Sequence, residues 1–373
     1  MSRPTSDGAP SPTLGETMEE HDHLAAAPAG AELTAPVKRT MADSVPKGRS
    51  EQFGGWLRLI RGRGALEIGI IFVLVQIGCV VAYLMAPDSF PYLSGANFNV
   101  LSQSIPVLAI LAIGAGVLMI AGEFDLSLGM NFTFCALVFI HWYADGNVLG
   151  AFVVTFAMGI GIALLNGVIV TRFKIPSFIV TLGMMLFWDG AALFYNGSSA
   201  ARMQRGETLQ TIFAGQVGPF RGQVVWLVLV AVFFWVLMHR HKLGNHIFAV
   251  GGNESAARAI SINPTRIKLI AFGILGLCVA LASILVAVRT QSVQPGTGRG
   301  MELQAIAAAV VGGVSLRGGK GSVLGMVLGA ALILILQDIL LLSGAPGFYL
   351  NLFIGAIIVF AAVFNRLIEG KAE

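Results

Sequence analysis

Apolar runs of about 20 residues recur along most of the chain and are separated by short polar segments. A helix needs about 20 apolar residues to cross the roughly 30 Å of hydrocarbon in a bilayer. The pattern therefore predicts an all-α membrane protein, a polytopic bundle of about ten transmembrane helices. The predicted spans are residues 66–85, 102–121, 127–143, 148–171, 176–195, 223–238, 267–288, 303–316, 322–342 and 348–364.

The third and eighth of these runs are shorter than the others and are interrupted by glycine or polar residues. Irregular backbone is tolerated at membrane depth only where protein or a cavity surrounds it, so a broken run of this kind is also compatible with a re-entrant segment. The pattern leaves two alternatives open, about ten spans or one or two fewer.

Polar segments divide the chain into regions. Residues 1–55 are rich in Pro, Ala, Ser, Glu and His and have no apolar period, which predicts a disordered cytoplasmic N-terminal tail. Because no charged start is followed at once by an apolar core, we expect no cleaved signal peptide. The membrane domain is expected to cover residues 56–366, with a cytoplasmic tail at 367–373. Its long internal polar segment, residues 239–268, is called the polar island below.

The composition excludes an ordinary soluble protein. Hydrophobic residues make up 55% of the chain, charged residues 12%, and the mean hydropathy is +0.78. A soluble domain of this composition would expose large apolar patches. The net charge of +4 is too small to indicate a nucleic-acid partner. The cysteines all lie within apolar runs, which is typical of buried thiols and not of a disulfide or a metal site: Cys79, Cys135 and Cys278.

The distribution of lysine and arginine predicts the orientation, because cytoplasmic segments of membrane proteins carry an excess of both. With both termini in the cytoplasm, the inner segments contain Arg58, Arg61, Arg63, Arg172, Lys174, Arg240, Lys242, Arg258, Arg266, Lys268, Arg317, Lys320, Arg366 and Lys371. The outer segments then contain only Arg202, Arg205, Arg221, Arg289 and Arg299. This bias favours an even number of spans and places the polar island in the cytoplasm.

Within the polar island, Asn253 has the chemistry of a helix N-cap, with Glu254 as the first helical residue and Arg258 one turn later. The pattern indicates a short amphipathic helix along the cytoplasmic face. An ordinary solvated loop is an equally good interpretation of these residues alone.

A glycine-rich turn, with Gly318, Gly319 and Gly321, superficially resembles a phosphate-binding loop. The motif G-x-x-x-x-G-K-[ST] requires a glycine where Val314 stands and a serine or threonine where Gly321 follows Lys320. The segment therefore predicts a tight turn between packed helices, and we expect no ATP site in this chain.

Ionisable residues inside or beside apolar spans are costly and are therefore candidates for function. The candidates are Glu123, Asp125, Asp189 and Asp338, together with the amide Asn166 and the aromatic Trp188. Carboxylates and amides accept hydrogen bonds from the hydroxyls of a polyol, and an aromatic face covers its C–H surface. The structural alternatives are a helix cap with Ser127 for Asp125 and an interhelical hydrogen bond for Asp189.

No catalytic or metal-binding constellation is recognisable. His239, His241 and His246 lie close together in sequence, but no cysteine completes a ligand set. We therefore predict no metal site and no enzymatic activity.

Several motifs, in this order along roughly residues 65–365, resemble the ribose-type permease subunits of bacterial ATP-binding-cassette importers. They are DLSLG at 125–129, LNG at 165–167, IPSFIVTLG at 175–183, GGNE at 251–254 with Ala256, Ala257, Arg258, Ile262 and Asn263, then Gln294-Pro295, Gly298, ELQAIAA at 302–308, Gly312-Gly313 to Leu316, and GGKGSVLG at 318–325. Two positions depart from the pattern: Ser261 stands where many relatives have glycine, and Asp189 where arginine is frequent.

The resemblance implies an inner-membrane permease subunit that forms a homodimer or heterodimer and imports a monosaccharide or related polyol. ATP and Mg would be bound by separate cytoplasmic ATPase subunits, and a periplasmic binding protein would deliver the substrate. The segment that couples to the ATPase would comprise Asn253, Glu254, Ser255, Ala256, Ala257, Arg258, Ile262 and Asn263. A nucleoside or an autoinducer-like sugar is the alternative substrate.

Two alternatives of another class remain at this point. One is a secondary transporter in which Asp189 or Glu123 exchanges protons or cations with the substrate. The other is a membrane scaffold without transport activity.

Overall fold

A computed structural model describes residues 65–369 except 204–206 and 219. The predicted N-terminal tail and residues 370–373 lie outside these residues. The described chain is helical apart from short strands and loops. In chain order the helices are α1 Ala65–Met85, α2 Gly95–Ile120, α3 Leu128–Ala144, α4 Val148–Phe173, α5 Ser177–Asn196, α6 Glu207–Ala214, α7 Gly222–Arg240, α8 Lys242–Gly252, α9 Glu254–Ala259, α10 Pro264–Thr290, α11 Met301–Val311, α12 Val323–Leu342 and α13 Phe348–Glu369.

Each predicted apolar run falls on one of these helices, and the chain is a polytopic α-helical membrane protein. Among the described residues, seven helices are long and apolar enough to cross a membrane: α1, α2, α4, α5, α7, α10 and α12. The shorter apolar helices include α3 and α11, which are the third and eighth runs of the sequence pattern. With 11 residues, α11 is about 16 Å long, roughly half of the hydrocarbon thickness.

The eighth run ends earlier than its apolar residues suggested. We expected helix to Leu316, whereas α11 ends at Val311 and is capped by Gly312. Gly313 follows with a φ of 85°, a left-handed conformation that glycine adopts readily and that an α-helix does not continue through. The apolar residues beyond it therefore belong to a turn.

The centre of the bundle is formed by α2 and α10. Every residue of α2 from 106 to 120 is buried, as expected for a helix that is apolar on all sides. Small residues let α10 approach α4 closely, since a Cβ on Gly276 would lie 2.4 Å from the carbonyl oxygen of Gly159. In contrast, α1 exposes a long series of large apolar side chains, which is the composition of a lipid-facing helix: Ile70, Ile71, Val73, Leu74, Ile77, Val81, Leu84 and Met85.

Irregular backbone precedes both short helices and is bonded by side chains of the bundle. Before α3, the amide of Phe124 donates to Ser177 Oγ and that of Leu126 to Thr181 Oγ1, at 3.1 and 3.0 Å. Before α11, the amide of Gly298 donates to Thr133 Oγ1 at 2.9 Å. Non-helical backbone at this depth requires such partners because lipid supplies none.

The polar island lies at one end of the bundle, called the island end, and the opposite end is called the far end. At the far end, β1 (Ala201–Arg202) pairs antiparallel with β4 (Ser292–Val293), and β2 (Gln216–Val217) with β3 (Phe220–Arg221). The hydropathy pattern predicted neither these strands nor α6. Two-residue strands have no detectable apolar period, and the apolar residues of α6, Leu209, Ile212 and Phe213, extend over too few turns to form a membrane span.

Candidate functional site

The polar island folds into two helices, α8 and α9, joined at Asn253. The side-chain Oδ1 of Asn253 accepts a hydrogen bond of 2.9 Å from the amide of Ala256, and its backbone is extended, with φ −158° and ψ 101°. This is the expected N-cap arrangement. The helix predicted from Glu254 onward is confirmed, and the alternative of an ordinary loop is wrong for these residues.

The preceding helix α8 was not predicted, although its sequence contains a signal for it. Leu243, Ile247 and Val250 recur at intervals of four and three residues, and the last two are buried. The mean hydropathy of the segment is low because most of the other residues of α8 are polar or glycine.

Ser261, two residues beyond the end of α9, has an unusual backbone conformation. Its φ of 64° lies in the left-handed region, where a residue with a side chain is less stable than glycine by about 1 kcal/mol. The structure thus explains why glycine suits this position.

A chain of ion pairs connects α9 to the segment that follows α2. Glu254 accepts from Arg258 Nη2 at 2.8 Å and from Lys268 Nζ at 2.9 Å, and Lys268 also contacts Glu123 Oε1 at 2.8 Å. The Lys268 side chain is 17% exposed, whereas that of Arg258 is 66% exposed. The bond to Lys268 is the main reason that the pKa of Glu254 lies below its ordinary value. We call Glu123, Lys268, Glu254 and Arg258 the ion chain.

Beside the ion chain, glycines allow the backbones of three segments to touch: the end of α2, the end of α8 and the turn before α12. The amide of Gly319 donates to the carbonyl of Ile120 at 2.9 Å. A Cβ on Gly251 would lie 1.7 Å from that same carbonyl oxygen, so only glycine fits there. We call Ile120, Gly251, Gly252, Gly318 and Gly319 the glycine junction. Its turn residues Gly318 and Gly319 have φ values of 84° and 70°, which confirms the predicted tight turn.

Asp125 and Asn166, both named as candidates from the sequence, meet in a buried polar cluster with Ser127. Asp125 Oδ1 accepts from the amide and the hydroxyl of Ser127 at 2.7 and 2.6 Å. Asn166 Nδ2 donates to Asp125 Oδ2 at 3.0 Å and to Ser127 Oγ at 2.8 Å. Both carboxylate oxygens of Asp125 are thus bonded within the protein. Their partner Ser127 is the residue that directly precedes α3. This cluster organises the start of that helix.

Asp189, on α5, pairs with Arg299, in the loop before α11. The guanidinium contacts both carboxylate oxygens, with Nη2 at 2.8 Å from Oδ2 and 2.9 Å from Oδ1. The Arg299 side chain is 61% exposed. The neighbouring Trp188 packs on Phe134, with ring centroids 4.8 Å apart. Its indole Nε1 has no hydrogen-bond partner among the described residues.

The remaining polar candidates make local or structural contacts. Asp338 on α12 accepts a hydrogen bond of 2.8 Å from Asn97 on α2. His241 accepts from the amide of Leu243 at the start of α8, and His239 contacts the Trp235 carbonyl. Within the described part of the chain, no group of three or more His, Cys, Asp or Glu side chains could hold a metal ion.

Comparison with known proteins decides the class. The family model described as "Branched-chain amino acid transport system / permease component" matches residues 97–362. The chain belongs to this permease family. It is a permease component of an ATP-binding-cassette importer and is located in the inner membrane.

Curated relatives cover most of the permease. The ribose import permease protein RbsC of Escherichia coli strain K12 is 34% identical over 280 residues, which are 74% of this chain and 86% of that protein. RbsC of Bacillus subtilis is 30% identical, over 79% and 90% of the two chains. The autoinducer 2 import system permease protein LsrC of Salmonella typhi is 31% identical, over 78% and 84%. No solved structure matches.

The structure distributes the predicted residues of the permease over three places. Glu123 joins the island end, Asp125 and Asn166 share the buried cluster, and Trp188 and Asp189 lie on α5. Sequence reasoning did not pair Glu123 with Lys268 or Asp189 with Arg299. Opposite charges at these positions were visible, but distance along the chain concealed which of them meet.

Proposed function

We propose that this permease moves a monosaccharide or a related polyol across the inner membrane and is driven by separate ATPase subunits that dock on α9. The observation that carries the coupling part is the ion chain, which connects α9 to the backbone segment leading to α3. The substrate class is supported by relatives named for ribose and autoinducer 2. A nucleoside or an autoinducer-like sugar is the alternative substrate.

The surface of α9 suits docking against a partner. Ala257 is buried and anchors the helix, whereas Ser255, Ala256 and Arg258 are exposed. Ile260, just beyond the helix end, is 69% exposed. A short helix with small side chains lets a partner approach closely, and arginine is among the residues enriched in protein interfaces. We infer that this surface seats in a groove of the ATPase.

Specific contacts would transmit a movement of α9 to the membrane helices. Lys268 holds Glu254 of α9 and Glu123 of the 121–127 segment at once. That segment is bonded through its amides to Ser177 and Thr181 on α5. A shift of α9 would therefore act on α3 and α5 together, and rigid-body motion of packed helices is the usual way such transporters alternate their access.

ATP and Mg belong to the partner subunits in this proposal. Gly318 and Gly319 of this chain are occupied by backbone contacts with Gly251 and Gly252, and the surrounding sequence departs from the nucleotide-binding motif. In this proposal the permease receives the movement of the ATPase subunits and does not itself bind the nucleotide.

The remaining assembly follows the same proposal. The basic residues of the polar island support a cytoplasmic location of the island end. With about ten spans and both termini in the cytoplasm, the far end would face the periplasm. A periplasmic binding protein would then dock at the far end. Two permease subunits, identical or different, would surround the translocation path.

Uptake by sealed proteoliposomes tests this function. The permease is reconstituted with its ATPase, and labelled ribose is supplied on a binding protein at the outer face. We expect uptake that requires ATP hydrolysis and persists with a protonophore. Uptake that proceeds without the ATPase and collapses with the protonophore would overturn the proposal.

A further inference from the structure

A cavity of about 550 Å³ opens at the far end of the bundle, between α2, α6, β3 and α10. Its polar lining includes Gln103, Gln210, Arg221 and Arg289. The volume falls within the range of pockets that bind small molecules, and a few convergent polar groups are what fixes a ligand in such pockets.

The lining of this cavity is cationic, with no acidic residue among the described residues that form it. Arg221 donates from Nε to Asn99 Oδ1 at 3.0 Å and forms no ion pair with a carboxylate of the described residues. Arg289 is partly buried and forms no hydrogen bond or ion pair with any described residue of the chain. By contrast, Lys268 and Arg299 both have carboxylate partners. A partly buried cation without a counter-charge is unfavourable unless something else supplies the charge.

Arg289 also lines a second, smaller cavity of about 180 Å³. That cavity combines the polar side chains Ser104, Thr297 and Gln304 with apolar walls that include Phe132 and Leu334. Arg289 therefore lines both cavities.

We propose that Arg289 and Arg221 bind an anionic group, a phosphate or a carboxylate, in the 550 Å³ cavity, with the amides of Gln103 and Gln210 as further donors. The planar guanidinium fork matches both anions in a bidentate manner. The position of Arg289 in the last turn of α10 interacts favourably with the helix dipole, but this explains neither the cavity nor the second arginine. The site does not depend on the proposed transport function.

The anion has two conceivable sources, and separate measurements distinguish them. For a dissolved anion, the permease is purified in a maltoside detergent, which contains no phosphate, and titrated calorimetrically with inorganic phosphate and with gluconate. For a lipid phosphate, native mass spectrometry counts the phosphatidylglycerol molecules that stay bound after extraction from vesicles of that lipid.

Arg289→Gln is the test variant, and Arg202→Gln is its matched control. Arg202 is exposed on β1 at the same end of the bundle and does not line the cavity. We expect at least a tenfold loss of anion affinity, or loss of one bound lipid, in Arg289→Gln and not in Arg202→Gln. Either result supports the anion site and identifies its source.

A second variant distinguishes loss of the anion site from misfolding of Arg289→Gln. Arg221→Gln should weaken the same binding while Arg289 is intact. Phosphate or the bound lipid should also raise the unfolding midpoint of the wild type but not that of Arg289→Gln, because only a ligand bound to the folded state shifts it. Equal anion and lipid binding by the wild type, Arg289→Gln and Arg221→Gln would overturn the proposal.

Discussion

Lys268, in the first turns of α10, forms an ion pair of 2.8 Å with Glu123, which lies beyond the end of α2. The same ammonium group holds Glu254 of α9 at 2.9 Å. One side chain therefore connects the helix proposed to dock on the ATPase with the backbone segment that enters the buried cluster of Asp125. This arrangement makes Lys268 the most informative residue for testing coupling.

Replacing Lys268 by methionine keeps most of its volume and removes the bridge. Loss of charged hydrogen bonds to two carboxylates should lower the free energy of unfolding by about 2 kcal/mol. The amides of Phe124 and Leu126 should then exchange faster with solvent deuterium, because the segment they belong to loses its tie to α9. Hydrogen exchange with mass spectrometry on the permease alone measures this.

Arg258→Gln is the control for that experiment. It removes an exposed pair between residues four apart on one helix, which contributes only about 0.3–0.5 kcal/mol. Exchange at 124–126 should stay at the wild-type rate. Equal protection in the Lys268 and Arg258 variants would contradict a link through Lys268.

The glycine junction predicts that alanine substitution destabilises the permease at one of two adjacent glycines and not at the other. In Gly251→Ala the new methyl group would meet the carbonyl of Ile120 at 1.7 Å, whereas in Gly252→Ala the nearest atom is the Gly319 Cα at 3.9 Å. Overpacking of this kind costs about 1–3 kcal/mol. We expect a lower thermal midpoint for Gly251→Ala only. Identical midpoints for both variants would show that the three segments are not in this backbone contact.

Glu254→Gln should uncouple ATP hydrolysis from transport. The amide keeps the shape of the side chain but weakens its bonds to Arg258 and Lys268, so docking persists while force transmission fails. In proteoliposomes we expect ATP hydrolysis to continue, uptake to fall at least tenfold, and binding-protein delivery to be unaffected. Wild-type uptake would remove α9 from the mechanism.

The same glutamate gives the permease a defined acid sensitivity. Because hydrogen bonding from Lys268 lowers the pKa of Glu254, its contribution to stability is complete above the ordinary glutamate pKa of 4.5 and is lost as the pH falls through the lowered value. The difference in thermal midpoint between wild type and Glu254→Gln should thus be constant from pH 7 to pH 5 and shrink only under more acidic conditions. A difference that already vanishes by pH 5 would contradict the ion pair.

Asp189→Ala should change transport without a large loss of stability. Its partner Arg299 is 61% exposed, so the freed guanidinium remains hydrated and the expected cost is below about 1 kcal/mol. We expect normal protein levels with an altered transport rate, measured as labelled ribose uptake. Partial recovery in Asp189→Arg/Arg299→Asp would assign the effect to the pair. Unchanged uptake in Asp189→Ala would exclude Asp189 from the pathway.

Local chemistry explains which features were predictable. The N-cap at Asn253 requires only an amide side chain and a helix-forming segment after it. The turn at Gly318 and Gly319 requires only residues that tolerate positive φ. The helix α8 was missed because its apolar face is narrow, and the early end of α11 was missed because the apolar residues beyond Gly312 resemble a continuing helix.

The membrane class and the positions of the apolar helices follow from the sequence alone, because run length and apolar period are local properties. The cap at Asn253 was a candidate helix start, and the structure decided between helix and loop there. Only the tertiary structure decided that Lys268 meets Glu123, that Arg299 meets Asp189 and that Gly251 touches the Ile120 backbone. Such pairs depend on how helices cross, and crossing is set by packing of small residues along whole helices, which no local pattern specifies.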